Sequence, residues 1–221
     1  PEEGYARLDI ADWNNDGRQD LIVADEEARV FLFLNDGQGH DPPTFLPGTQ
    51  LTANGKPLDG IGRGSVLVCD WNNDGRKDLI LGMTYKDNVS SPYYDWPYQD
   101  GDTDKTDDQG FLYYPNTGSD ANPVLAYPSW IRAGGQIIKY TRPNLGSFVD
   151  WDKDGKKDFI GCEFEGNVRF YQNTGSGQPN TVPTLSPADG TIIVQPFVTT
   201  QMISGAEAVD WRGDGDLDIV T

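Results

Sequence analysis

The sequence predicts an all-β fold assembled from repeated four-stranded antiparallel units. Three observations carry that prediction. A nine-residue phrase occurs four times, as DWNNDGRQD from Asp12, DWNNDGRKD from Asp70, DWDKDGKKD from Asp150 and DWRGDGDLD from Asp210. Each copy lies between two short apolar runs, such as LDIA and LIVA or VLVC and LILG, with the length and composition of strands. Across the whole chain 26 glycines and 15 prolines mark turn clusters, and no amphipathic run reaches helix length.

The phrase itself has legible chemistry. Positions 1, 3, 5 and 9 of the first copy are Asp12, Asn14, Asp16 and Asp20, and the Arg18 carbonyl at position 7 completes a set of hard oxygens. Gly17 at position 6 allows the sharp turn that brings such oxygens round one cation, the way calcium loops are built. The second copy offers Asp70, Asn72, Asp74, Asp78 and the Arg76 carbonyl; the third offers Asp150, Asp152, Asp154, Asp158 and the Lys156 carbonyl. The fourth offers Asp210, Asp214, Asp216 and Asp218 but has Arg212 at position 3. A guanidinium cannot ligate a cation and is expected to pair with the carboxylates, so three calcium sites are expected and the fourth is doubtful. Position 12, where an EF-hand needs Glu, is Val23, Leu81, Gly161 or Thr221, and the flanks are strand formers. The expected device is therefore a calcium loop joining two strands. The competing reading is an Asp- and Asn-rich hairpin turn that holds no metal.

A second phrase recurs: a strand, then Asn-x-Gly, then a Pro-containing spacer ending in an apolar residue. Its copies are FLFLNDGQGHDPPTF, FLYYPNTGSDANPVL and VRFYQNTGSGQPNTVPTL. Together the two phrases resemble the calcium-binding FG-GAP/VCBS repeat, the repeat of integrin α-subunit heads and many secreted proteins. The resemblance spans essentially the whole chain. It implies a β-propeller of four-stranded blades, strands A to D from the axis outward. It says little about molecular function, because propellers host many.

On that reading blade one covers about residues 5–60, with strand A at Tyr5–Ala11, B at Leu21–Ala24, C at Arg29–Leu34 and D near Thr44–Leu46. Blade two covers about 61–140, with A at Ser65–Cys69, B at Leu79–Met83, C at Gly110–Tyr114 and D near Val124–Tyr127. Blade three covers about 141–200, with A at Gly146–Val149, B at Phe159–Cys162, C at Asn167–Tyr171 and D near Thr191–Pro196. Blade four, 201–221, has A at Ala206–Val209 and B at Leu217–Thr221. The phrases start at 12, 70, 150 and 210, so a blade takes about 60 residues and about three and a half are present. A propeller closes with four or more. The expectation is part of a seven- or eight-bladed propeller, completed by the remainder of a longer chain or by a second copy.

Composition narrows the partners. A formal charge of −18 argues against nucleic-acid binding, which wants a basic face. No apolar run approaches membrane-spanning length. Weak calcium sites fill outside cells, which places the protein as secreted or surface-attached. Asn88-Val89-Ser90 is a glycosylation sequon in a loop. Cys69 and Cys162 fall at different positions of their repeats and read as buried free thiols, a disulfide remaining open.

Topology orders the loops. The A–B calcium loops and the C–D loops share one face; the B–C and D–A loops share the other, where propellers generally bind ligands. Blade two carries an insertion there, 84–109, with Tyr93, Tyr94, Trp96 and Tyr98, residues suited to stacking on sugars or to a protein interface. Asp100, Asp102, Asp104 and Asp108 repeat the 1-3-5-9 spacing without the glycine and read as a solvated acidic loop. The D–A loops add Arg63 and Arg142, fit for a carboxylate or sulfate. His40, the one histidine, falls on the calcium-loop face. Trp13, Trp71, Trp151 and Trp211 recur at position 2 and are expected to pack between blades. The reading is a calcium-stabilised extracellular module that recognises glycan or protein. The alternatives are a polysaccharide lyase acting on uronate and an adhesion or assembly module completed by another chain.

Overall fold

A computed structural model describes residues 6–25, 28–39, 42–58, 64–83, 110–139, 146–163, 166–195 and 205–220. Every regular element among them is a strand. The first unit contains β1 (Arg7–Ala11), β2 (Asp20–Ala24), β3 (Val30–Phe33) and β4 (Thr49–Gln50), paired in that order. A small hairpin, β5 (Thr52–Ala53) and β6 (Lys56–Pro57), leads to the second unit: β7 (Gly64–Cys69), β8 (Asp78–Met83), β9 (Gly110–Tyr114) and β10 (Ser129–Trp130). A second hairpin, β11 (Arg132–Ala133) and β12 (Gln136–Ile137), precedes β13 (Ser147–Val149), β14 (Asp158–Cys162), β15 (Val168–Asn173) and β16 (Leu185–Val194). The fourth unit contributes β17 (Glu207–Val209) and β18 (Asp218–Val220). Apart from the β11–β16 contact, the ladders are antiparallel, as short connections between neighbouring strands require.

The first three strands of the first three units, and both strands of the fourth, fall where the sequence places them. The outermost strands of the first two units do not. Thr44–Leu46 and Val124–Tyr127 were the expected sites, yet only Phe45 and Leu125 bridge there, to Asn35 and Asn116. The paired strands come later, with Leu32 opposite Thr49 and Leu112 opposite Trp130. Pro47 and Pro128 explain the displacement: a residue without an N–H interrupts the ladder, and pairing resumes beyond it. In the third unit β16 starts at Leu185, ahead of the expected Thr191, and carries two register shifts against β15.

The core lies between units. The first and second share a cluster around Trp13, Ile22, Val30, Leu58, Leu79 and Leu81. The second and third share an aromatic one: Phe159 stacks on Phe148 at 4.7 Å and on Tyr171 at 5.5 Å and takes the edge of Phe111 at 5.0 Å, while Trp71 meets Phe148 edge-on at 4.8 Å. Ile160, Cys162, Val168 and Ala208 join the third unit to the fourth, with Trp151 packed against them. The position-2 tryptophans thus pack between units in three copies. Trp211 is 74 % exposed, because no described unit covers its face. This arrangement explains the burial of each sheet. All six residues of β8 are buried, since the second unit is covered on both sides, whereas Leu8 and Ile10 of β1 are exposed.

Hydrogen bonds between the first strands of neighbouring units add to the packing. Asp9 Oδ2 accepts from the Val68 N–H at 2.7 Å, and Ser147 Oγ accepts from the Ala208 N–H at 2.8 Å. Cys69 and Cys162 are both free thiols. Arg63, Tyr93, Tyr94, Trp96, Tyr98, Asn88, Arg142 and His40 lie outside the described residues.

Two measurements check this account. Phe159→Ala should cost about 3–5 kcal/mol in a urea melt, since it empties the centre of the aromatic cluster. Trp211→Ala should change stability by no more than about 0.5 kcal/mol in the chain alone. Burial raises the Asp9 pKa, and the like charge of Glu207 adds to the rise. Its carboxylate therefore lowers stability as pH climbs from the unfolded value, about 3.9, through the folded one. Asp9→Asn keeps an acceptor for Val68 without the charge. The variant should melt higher than the parent at pH 7, with the gain vanishing as pH falls below about 4 in a pH series of thermal melts.

Candidate metal centre

The four loops share one backbone. Position 4 is left-handed in each, with φ of 59° at Asn15, 61° at Asn73, 62° at Lys153 and 69° at Gly213. Position 6 is left-handed as well, at 84–87°, in Gly17, Gly75, Gly155 and Gly215. Glycine has no Cβ to clash there, which is why position 6 never varies. Asn tolerates the same region at position 4, and Lys153 is held in it by the surrounding turn.

These two reversals aim backbone donors inward. The position-1 carboxylate takes two of them: Asp12 from Asp16 N and Gly17 N, both at 2.9 Å, and Asp70, Asp150 and Asp210 from the same positions at 2.9–3.0 Å. The position-5 carboxylate accepts the position-7 N–H and pairs with the position-7 side chain, Asp16 with Arg18 at 2.5 Å, Asp74 with Arg76, and Asp154 with Lys156 at 2.7 Å. That ammonium holds the Asp154 carboxyl below the usual carboxylate range.

Position 9 has a second duty that its spacing did not announce. Asp20, Asp78 and Asp158 are fully buried. One oxygen of each accepts the N–H of the position-2 tryptophan at 3.0 Å. The other accepts the N–H of the asparagine that opens the second repeated phrase: Asn35 at 2.8 Å, Asn116 at 2.8 Å and Asn173 at 2.7 Å. Those asparagines in turn accept from Gly37, Gly118 and Gly175, each at 3.0 Å. The two repeated phrases are thus one hydrogen-bonded unit, closed by a buried carboxylate. Burial pushes the Asp78 carboxyl up to about 6 and raises that of Asp158, where the Asp152 charge contributes.

In the third loop, carboxylate oxygens of Asp150, Asp152 and Asp158 all lie within 4.8 Å of one another, a group that can hold a metal ion. Asp152 is steadied by Gln172 Nε2 at 2.7 Å. The first and second loops put Asn14 and Asn72 at the Asp152 position, where an amide oxygen replaces a carboxylate. The fourth loop differs in the way its sequence implies. Arg212 reaches Asp218 at 3.2 Å and Asp214 at 3.4 Å, placing cationic charge among the acids. Asp216 turns to Lys153 of the preceding loop at 2.5 Å, and this pairing lowers the Asp216 pKa and raises that of Lys153. Asn at positions 4 hinted at the left-handed turn; nothing in the spacing marked the link between loops.

The loops share a face with the turns that follow the third strand of each unit. Asn73 donates to the Gly177 carbonyl, Lys77 pairs with Asp120 at 3.1 Å, and Gly37 lies against the Arg18 guanidinium. The turns between second and third strands sit at the opposite ends of the strands, closed by Asp25–Arg29 in the first unit and Glu163–Asn167 in the third. Beside the latter is a cavity of about 760 Å³, lined by Arg132, Lys139, Glu163, Arg169, Tyr171 and Asp189 among others.

Residues 12–81 and 150–221 match the FG-GAP-like repeat family, more than half of the chain, and the protein belongs to that family. No curated protein shows significant similarity to it. FG-GAP-like repeats point to a β-propeller-like recognition module. Among the described residues, no helix is long and apolar enough to cross a membrane.

The role of position 9 is separable from any metal. Asp20→Ala leaves two buried N–H groups without an acceptor. It should cost about 2–4 kcal/mol in a denaturant melt run in EGTA. Asp152→Ala, at an exposed position, should cost under about 1 kcal/mol in the same buffer.

Proposed function

We propose that this chain is a calcium-stabilised, extracellular β-propeller module whose work is recognition. The observation that carries the reading is the convergence of Asp150, Asp152 and Asp158 on a loop backbone that recurs four times. Oxygens that share one Ca²⁺ at about 2.3–2.6 Å stand no more than about 5 Å apart, a limit that this group respects. The donor set is all hard oxygen, and the first two loops reproduce it with Asp12, Asn14 and Asp20, and with Asp70, Asn72 and Asp78. A bound dication supplies the positive charge that these carboxylates otherwise lack. Calcium is abundant outside cells, and a chain of charge −18 stays soluble there.

Glycan or protein recognition then belongs to the face away from the loops. Arg63, Arg142, Tyr93, Tyr94, Trp96 and Tyr98 are its candidate residues. The cavity of the third unit supports this assignment: Lys139 in its wall is three residues from Arg142 in the chain. A second copy or further blades would close the ring.

Thermal melts in calcium and in EGTA test the reading. Each filled site should add about 2.7 kcal/mol at a hundred times its Kd, so the melting temperature should rise by several degrees. In a calorimetric titration, Asp152→Ala should lower the calcium stoichiometry by one. Identical melts in the two buffers would reduce the four loops to turns.

A further inference from the structure

A third repeated element connects the units. Leu51-Thr-Ala53-Asn54-Gly55-Lys-Pro-Leu58 and Ile131-Arg-Ala133-Gly134-Gly135-Gln-Ile-Ile138 share the pattern apolar-x-Ala-x-Gly-x-x-apolar. Both form tight hairpins with two successive left-handed residues, Asn54 at 48° and Gly55 at 76°, Gly134 at 54° and Gly135 at 83°. That is the two-residue turn whose twist suits a β-hairpin. Ala53, Ala133 and Leu58 are fully buried, and Ile138 nearly so.

Each hairpin docks on the unit that follows it, at the same place. Ala53 bridges Leu125 in parallel and Asn54 N–H donates to the Leu125 carbonyl at 2.9 Å. Ala133 bridges Leu185 in parallel and Gly134 N–H donates to the Leu185 carbonyl at 2.9 Å. Leu125 and Leu185 are the apolar residues that end the second repeated phrase, and the hairpins leave them 3 % and 1 % exposed. The first unit has the same receptor. Phe45 ends its phrase, bridges Asn35 as Leu125 bridges Asn116, and is flanked by the same paired bonds. Phe45 is only partly buried, and no N–H among the described residues donates to its carbonyl.

We propose that the edge of the first unit at Phe45 is a docking site for a β-hairpin of this pattern, presented by another repeat of the same kind. Two instances of the interface are on view within the chain, and they define what the partner must carry. It needs a left-handed pair at the turn, an alanine where a larger side chain has no room, and an N–H aimed at the Phe45 carbonyl. The apolar ring then loses its exposure as Leu125 and Leu185 do. The site uses no loop carboxylate itself and is joined to the loop through Asn35, which bridges Phe45 and gives its N–H to Asp20.

The test uses the full chain and a disulfide-closed peptide, CQLTANGKPLC, whose hairpin form is first verified by its own NMR spectrum. Titrated into the isotope-labelled protein to about 1 mM, it should give saturable shifts at Thr44, Phe45 and Leu46 that Phe45→Asp abolishes. Replacing the peptide's alanine by lysine should weaken binding at least tenfold. The same hairpin joined through a flexible linker ahead of Pro1, where its effective concentration is millimolar, should slow amide exchange at this edge. Phe45→Asp should reverse that protection, while the unlinked variant keeps the dispersed amide spectrum of the folded chain. No protection in the linked protein, or shifts indifferent to Phe45→Asp, overturns the proposal.

Discussion

One buried carboxylate in each of the first three repeats holds the rest together. Asp20, Asp78 and Asp158 each take a backbone N–H from the loop they end and another from the far end of the third strand. Without that acceptor two donors would be buried unpaired, a cost of about 1–3 kcal/mol each. With it, the loop, the second strand and the asparagine turn become one rigid corner. The tryptophan that donates one of the bonds is the side chain wedged under the next unit in the first two copies. Loop geometry and inter-unit packing therefore rest on the same atoms.

Much of this was legible beforehand, and the reasons are local. Strands that touch the loops are bracketed by invariant Asp and Gly, so Asp78–Met83 or Asp158–Cys162 could be placed to within a residue. The loop residues were legible because a cation site needs oxygens at alternating positions and a glycine at one of them. The fourth strands were misplaced because Phe45 and Leu125 make an apolar strand-like signal, while the pairing that follows Pro47 and Pro128 is only two residues long. The hairpins give a weak signal for a similar reason: their pattern is eight residues with four fixed points, two of them merely apolar. The inward duty of Asp20 was hidden because its partner, Asn35, is 15 residues away. Trp211 shares its phrase with three packed tryptophans but not their neighbours, and a burial set by the next unit cannot be read from the phrase alone.

Charge follows the same division between repeat and context. Position 7 is Arg or Lys in three loops and neutralises position 5, which leaves positions 1, 3 and 9 as the oxygens still short of positive charge in the third loop. In the fourth loop Asp216 takes position 7 and looks to Lys153 of the loop before it, so the third and fourth loops are joined by an ion pair. Both groups are largely exposed, and the pair's energetic worth is small; its effect is on which acids remain available in each loop.

The hairpins give the array a direction. The first unit's connector covers the outer edge of the second, and the second's covers the third; nothing among the described residues runs the other way. Pulled along its length, such a chain behaves like overlapping roof tiles. A unit cannot be peeled from its outer edge until the one ahead of it has let go.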